Sequence, residues 1–348
     1  MPLIEHSDRG LYCARGDFYI DPWKPVSRAV ITHAHSDHAR PGSDHYLCHT
    51  DSVSLLRLRL GPGISCQALP WNEPLSINGV SVSLYPAGHI IGSSQIRVEY
   101  QGEVWVVSGD YKLEDDGLSG AFQPVPCHCF VTESTFGLPL YRWKPQAAIF
   151  TAMESWIRQN QASGLTTVLF AYSLGKAQRL IARLGGLGVP LFVHGAIWNV
   201  QETLRVAGWD LPPVEWITPE TPKDRFKGQI VIAPPAADDS PWLRKFIPYS
   251  LGVCSGWMQV RGNVRRRNAD AGFALSDHAD WTGLLSAVKA TGAERVLVTH
   301  GFQSAFSRYL TEREGVQAAE VHTAFGEEEG AAEAAAPGET PTETVTET

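Results

Sequence analysis

The chain of 348 residues has no apolar run of about eighteen residues, so no membrane-spanning helix is expected. The opening stretch, Met1 to Gly10, carries Glu5, Asp8 and Arg9 and lacks the apolar centre of a secretory leader. Cysteine is scarce. Its six residues stand singly or as Cys127-His128-Cys129, with no repeated framework, which excludes a disulfide-stapled scaffold and favours a reducing, cytoplasmic location. Excess basic charge is also lacking: 29 Lys and Arg face 37 Asp and Glu, for a net charge of −8. Seven of those acids are the Glu residues that follow Phe325, in a stretch without Lys or Arg, so the rest of the chain carries −1. A polyanion would therefore have to be met by local patches rather than by the field of the whole molecule. The tail Gly326–Thr348 is built from Ala, Glu, Thr, Pro and Gly and cannot bury enough surface to offset its ordering entropy; it is expected to be disordered. There are no internal repeats. With 43% hydrophobic and 19% charged residues, the chain reads as a globular enzyme with two domains, or one domain carrying a large insertion.

What the chain does have is Thr32-His33-Ala34-His35-Ser36-Asp37-His38-Ala39, three of its twelve histidines and a carboxylate within six residues. It directly follows the apolar run Ala29-Val30-Ile31. Imidazole nitrogen and carboxylate oxygen are the donors that a borderline divalent metal accepts. In an extended chain His33 and His35 point the same way and can grip one ion, and a turn after Ser36 would present Asp37 and His38 to a second. An exposed polar turn would have no reason to concentrate these residue types.

Short apolar runs recur, each ending in a residue that could do chemistry: Phe18–Ile20 before Asp21, Val80–Tyr85 before His89, Val104–Val107 before Asp110, Phe130–Val131 before Glu133, and Val296–Val298 before His300. They read as buried strands, with polar residues where layered α/β folds place their sites. Helical patterns over Ala147–Asn160, Lys176–Leu184 and Trp281–Ala290 alternate with them. Between about Tyr141 and Asn268 ligand-type residues thin out while strand–helix alternation continues through Thr167–Phe170 and Leu191–Val193, which marks a separate inserted domain.

Taken together, Asp21, the His33/His35/Asp37/His38 cluster, His89, Asp110 and His300 resemble the motif set of the metallo-β-lactamase superfamily. That resemblance implies an α/β fold, a four-layer αβ/βα sandwich with two zinc ions at one edge. It puts His33, His35 and His89 on one ion and Asp37, His38 and His300 on the other, with Asp110 bridging and Asp21 orienting the site. A narrower resemblance joins Val131–Gly137, with its Glu133, to the acidic motif of the β-CASP nucleases, Ser276–Asp280 with His278 to their second motif, and Thr299-His300-Gly301 to their third. Ala171–Gln178 is similar to the Gly-Arg-x-Gln helix start of the β-CASP insertion, with Lys176 where Arg is usual. The implied organisation is a metallo-β-lactamase domain over 1–140 and 269–325, an inserted α/β β-CASP domain over 141–268, and the acidic tail over 326–348. Ser255-Gly256-Trp257 resembles an element of DNA-acting members, whereas a His at position 300 is more usual in RNA-acting ones. The overall likeness is nearest to bacterial ligase-associated DNA exonucleases.

The expectation is a metal-dependent phosphodiesterase, a DNA exonuclease that trims ends in repair, working beside an ATP-dependent DNA ligase and away from membranes. Two divalent ions, Zn2+ first and Mn2+ as the alternative, would lie about 3.5–4 Å apart, lower the pKa of a shared water and clamp the phosphoryl oxygens. Asp37, Glu133 and His278 are the expected catalytic residues, with Glu133 fixing the ring of His278 so that it protonates the leaving oxygen. An RNA-processing nuclease on the same scaffold is the first alternative. A small-ester or thioester metallohydrolase is the second, and it leaves Glu133, His278 and the insertion without a task. Lys176, Trp257, Arg261, Arg265, Arg266 and Arg267 are candidate nucleic-acid or phosphate contacts. His45 and His49, close to the cluster, read as strand positions rather than ligands.

Overall fold

Each apolar run identified above forms a strand, and the strands assemble into three sheets in the computed structural model, which describes residues 2–321. The tail 326–348 lies outside the described residues. The first sheet keeps sequence order: Glu5–His6, Leu11–Cys13, Phe18–Ile20, Arg28–Val30, His45–His49 and Cys66–Leu69. It is antiparallel at its start and parallel from Phe18–Ile20 onward. The second runs in the order Gln317–Glu320, Arg295–Thr299, Cys129–Glu133, Glu103–Val107, Ser94–Tyr100, Val80–Pro86 and Leu75–Ile77. Its first four strands are parallel, so Val107, Glu133 and Thr299 end at the same edge.

These two sheets share one core. Phe18, Ile20, Val30 and Leu47 of the first meet Val82, Ile96, Val98, Trp105 and Val131 of the second, all of them buried. Burying each such side chain contributes about 1.5–3 kcal/mol relative to exposure. The outer face of the second sheet is covered by helices Trp281–Thr291 and Gln303–Tyr309 through Trp281, Leu284, Val288 and Phe306. Helix Val53–Leu60 covers the outer face of the first through Leu55 and Leu56. The result is helix, sheet, sheet, helix.

The third sheet is wholly parallel: Glu215–Trp216, Leu191–Val193, Ile230–Ala233, Thr166–Phe170, Tyr249–Cys254 and Ala271–Phe273. Strands buried on both faces read as continuous apolar runs, as Thr166–Phe170 and Ile230–Ala233 do. Helices Gln146–Ala162, Lys176–Leu184 and Gly195–Val206 cover one face, and Phe226, Leu243 and Phe246 cover the other. The sheet continues past residue 268, where the sequence reading ended the insertion. Asn268-Ala269-Asp270 looks like a linker, yet the Asp270 carboxylate accepts from the Leu251 amide (2.7 Å) and the Ser250 hydroxyl (3.1 Å) and sets the next strand into register. Leu174, Val200 and Leu204 of this unit pack against Ile31, Leu56 and Ile90, docking it beside the edge where the ligand-type residues gather. Among the described residues no helix is long and apolar enough to cross a membrane.

Candidate metal centre

The first sheet supplies the cluster. Strand Phe18–Ile20 ends at Asp21, whose φ of +43° turns the chain and aims its carboxylate back at the neighbouring strand end. Asp21 Oδ1 accepts from the Thr32 amide (2.8 Å), and Oδ2 accepts from the Thr32 hydroxyl and lies 2.7 Å from His38 Nδ1. Beyond Thr32 the chain turns: the amides of His38 and Ala39 both donate to the His35 carbonyl. His33 and His38 are thereby brought together, with ring centroids 4.1 Å apart.

The second sheet supplies the rest from the ends of its parallel strands and from the loop after Val80–Pro86. His89 comes to 4.8–4.9 Å, centroid to centroid, from His33 and His35. Asp110 sits at the middle, its Oδ2 3.5 Å from His33 Nε2, 3.5 Å from His38 Nε2 and 3.7 Å from His89 Nε2, and its Oδ1 3.8 Å from His300 Nδ1. His300 itself has φ +53°, and the next residue, Gly301, has φ +68°, where an added Cβ would fall 2.4 Å from the Ser134 carbonyl oxygen. Only glycine allows that close approach. Asp37, partly exposed, places Oδ2 3.5 Å from His38 Nε2.

Hydrogen bonds on the far side of each ring say what the near side can do. His35 Nε2 lies 3.1 Å from the Leu174 carbonyl and His89 Nδ1 lies 2.7 Å from the Asp277 carbonyl. Carbonyls only accept, so those nitrogens carry the protons. His35 Nδ1 and His89 Nε2, left with lone pairs, then face each other at 3.1 Å. Burial pushes His33, His35 and His89 below the ordinary imidazole range, so a second proton on either ring is disfavoured. A cation between the lone pairs removes the conflict. His33 Nε2, His38 Nε2 and Asp110 Oδ1 are buried and lack a hydrogen-bond partner among the described residues. His38 behaves oppositely: burial opposes its charge, but Asp37, Asp110 and Asp21 outweigh that and hold its pKa well above the usual range. Burial would likewise raise Asp110, yet His38 and His300 bring it well below the carboxylate range. Positive charge is favoured at this point, as a proton or as a metal ion.

Two donor sets result. His33, His35, His89 and Asp110 could hold one ion, and His38, Asp110 and His300 another, with Asp37 grouped beside His33 and His38; within each set the donor atoms lie no more than 4.8 Å apart. These donors fit a borderline divalent metal. A further set, Asp110, Glu133 and His278, adjoins them. Glu133 is buried at the end of its strand, accepts from the Tyr111 amide at 2.7 Å, and lies 3.0 Å from His278 Nδ1.

The structure places the expected nucleic-acid contacts less uniformly. Lys176, expected to reach phosphate, is instead buried 3.4 Å from the Asp277 carboxylate, because the helix it opens faces the interior. Trp257 is half-buried in a ring cluster with Phe136, Tyr141 and Phe302. Arg265 and Arg266 are exposed on helix Arg261–Arg266, and Arg267, just beyond it, is half-buried. His49 is buried against Trp71, with centroids 3.4 Å apart, and His45 is exposed beside Ser65, both away from the cluster. Sequence reasoning missed the carbonyls of Leu174 and Asp277, the indole of Trp143, which donates to the His278 carbonyl at 3.0 Å, and Arg179. No residue type or spacing announces a backbone carbonyl.

Fold and site together define a layered α/β protein with a His/Asp centre suited to two metal ions. No family model matches the chain. It is 32% identical over 321 residues to a probable DNA ligase of Opitutus terrae, a match covering 91% of this chain and 31% of that protein. It is 27% identical over 139 residues to endoribonuclease YSH1 of Eremothecium gossypii and 24% identical over 139 residues to that of Saccharomyces cerevisiae, each match covering 36% of this chain and 18% of the relative. The chain thus spans about a third of the first relative and under a fifth of the other two. A solved structure of a protein of unknown function from Enterococcus faecalis shares the fold, with TM-score 0.58 at 11% identity over 85% of this chain and 79% of that one. These similarities relate the chain to the metallo-β-lactamase/β-CASP nucleases.

Proposed function

We propose that the chain is a metal-dependent phosphodiesterase that degrades DNA from an end, with a metallo-β-lactamase sandwich over 1–140 and from 274 onward and a β-CASP insertion over 141–273. The observation that carries the reading is the Glu133–His278 pair, 3.0 Å apart beside Asp110. Simple ester hydrolysis has no use for a carboxylate–imidazole pair added to a complete metal centre. Cleavage of a phosphodiester does, because its leaving alkoxide must be protonated.

His33, His35 and His89 would hold one ion and Asp37, His38 and His300 the other, with Asp110 shared between the two sets; Asp21 orients His38 and Thr32. When bound there, two divalent ions, zinc by donor type, would supply an activated water and stabilisation of phosphoryl charge. Glu133 accepts from His278 Nδ1–H, fixes that tautomer and raises the basicity of the ring. The opposite nitrogen, Nε2, gives its proton to the leaving oxygen. Exposed Arg265 and Arg266, with Arg267 and the Trp257 ring cluster, are offered as nucleic-acid contacts.

DNA is favoured over RNA because the match to a protein named probable DNA ligase runs along 91% of the chain. It also supports a place beside DNA ligation. The shorter matches to proteins named endoribonucleases favour RNA, the second reading. The test is to incubate protein of measured metal content with end-labelled single-stranded DNA and RNA, each with and without a 5′-phosphate. A metal-dependent ladder on DNA growing from one end is expected. Selective cleavage of RNA establishes the second reading, and cleavage of neither by metal-loaded protein defeats both.

A further inference from the structure

Arg179 has no part in the chemistry just described, yet it is among the most enclosed charges of the chain, at 4% exposure in helix Lys176–Leu184. Its Nη1 donates to the Ser276 carbonyl at 2.7 Å and to Asp277 Oδ1 at 3.1 Å, and its Nη2 donates to Gln146 Oε1 at 2.9 Å. The second Asp277 oxygen faces Lys176 at 3.4 Å. Asp116, which pairs with Lys112 at 2.6 Å, stands 4.0 Å from Arg179 Nε. Burying so many charges is costly unless each is matched. The matching is concentrated on one short segment, Ser276-Asp277-His278.

The same segment also contacts the reacting site. The Ser276 hydroxyl accepts from the His278 amide at 3.0 Å. The Asp277 carbonyl orients His89, and the His278 ring meets Glu133. Arg179 therefore grips the backbone immediately before His278, from a helix more than ninety residues earlier in the sequence. A planar guanidinium can address a carbonyl, a carboxylate and an amide at once in fixed directions; an ammonium, a point charge with rotating donors, cannot hold all three.

We propose that Arg179 is a positioning residue for proton donation: it locks the Ser276–His278 backbone so that the His278 ring is aimed at the leaving oxygen of the scissile phosphodiester. This rests on the phosphodiesterase reading above. In the step concerned, water adds to phosphorus and loses one proton to solvent. The bond from phosphorus to the leaving oxygen breaks with its electron pair on that oxygen. His278 Nε2 supplies the proton that neutralises it, and the ring regains a proton from solvent. A misaimed His278 slows only a departure that needs that proton.

The experiment compares wild type and Arg179→Met, both full-length and of measured metal content, on two oligonucleotides. They differ in one atom: the bridging oxygen that departs, identified from the product ends, is left as oxygen or replaced by sulfur. A thiolate is a far weaker base than an alkoxide and leaves without protonation. Expected for Arg179→Met is an unchanged metal content, kcat on the oxygen substrate lowered about 100-fold with KM little changed, and kcat on the sulfur substrate within about threefold of wild type, the size of effect a positioned acid gives. Equal losses on both substrates, or no loss on either, overturn the proposal. Should Arg179→Met emerge unfolded or metal-poor, Arg179→Lys is read instead. It keeps a charge against Asp277 but drops the fork, and the same split is required of it. A wild type that cleaves neither DNA nor RNA removes the phosphodiesterase reading itself. The proposal about Arg179 fails alone when wild type cleaves both oligonucleotides and the variants show no split.

Discussion

The two sides of the site are built by different means. On the first sheet, His33 and His38 are oriented by Thr32 and Asp21, partners within seventeen residues of chain, and the turn that presents them closes on the His35 carbonyl. On the other side, His278 is held by Glu133, Trp143 and, through Ser276, Arg179, partners 97 to 145 residues away. His35 and His89 lie between, their rings near one another while their far nitrogens reach the carbonyls of Leu174 and Asp277, 139 and 188 residues off. The His33/His38 part of the metal-binding edge can thus be set by one sheet, while Asp110, His89 and His300 come from the second. The proton donor is set only when the third sheet's unit docks, and Gly175 shows how tight that docking is: with φ +93°, a Cβ there would fall 2.3 Å from Ile90 Cγ2.

The largest effect expected is at the shared carboxylate. Asp110→Ala should empty both metal positions and lower cleavage by on the order of a thousandfold or more, read by metal analysis and a nuclease assay together. Retention of both metals would show that Asp110 does not join the two donor sets. Asp21→Asn keeps the size of the side chain but loses the charge facing His38 Nδ1, and should weaken metal affinity about 10–100-fold without touching the His278 side. On that other side, Trp143→Phe removes one hydrogen bond to the His278 carbonyl, about 1 kcal/mol, and should slow cleavage roughly fivefold at full metal content. A loss of metal in this variant would mean that the two sides are not separable.

The smallest effect concerns His49, at the end of a strand of the same first sheet but outside the cluster. Burial pushes its pKa down to about 4 from an ordinary 6.5, so between those values the unfolded chain binds more protons than the folded one. The stability that this neutral ring contributes is complete above pH 6.5 and is lost as pH falls through about 4. His49→Asn should flatten that part of the stability–pH curve, followed by thermal unfolding, while metal content and cleavage stay within about twofold. A large drop in activity would enlarge the site beyond the residues named here.

The same division explains what could be read from sequence. The strands that lead within three residues into Asp21, His33, Asp110 and His300, and the one that ends at Glu133, are apolar runs that turn polar at their ends, and helix Lys176–Leu184 has the bounds its pattern gives. His33, His35, Asp37 and His38 stood out because locality crowds ligand types together. Lys176 opens a helix, and a helix start draws phosphate in general, but its side chain turns inward to Asp277, which the sequence does not announce. Arg179, three residues on, carries no mark of its own: only the folded chain brings it to Ser276. The strand Ala271–Phe273 was hidden by the polar residues before it, whose carboxylate serves the sheet rather than solvent.

The most direct measurement is on His278→Ala, with metal stoichiometry and DNA cleavage taken from one preparation. The account predicts two metal equivalents, as in wild type, and cleavage reduced about 10²–10⁴-fold, the contribution of a positioned general acid. Undiminished cleavage, or loss of the metals along with it, would contradict the separation of a metal-binding edge from a docked proton donor.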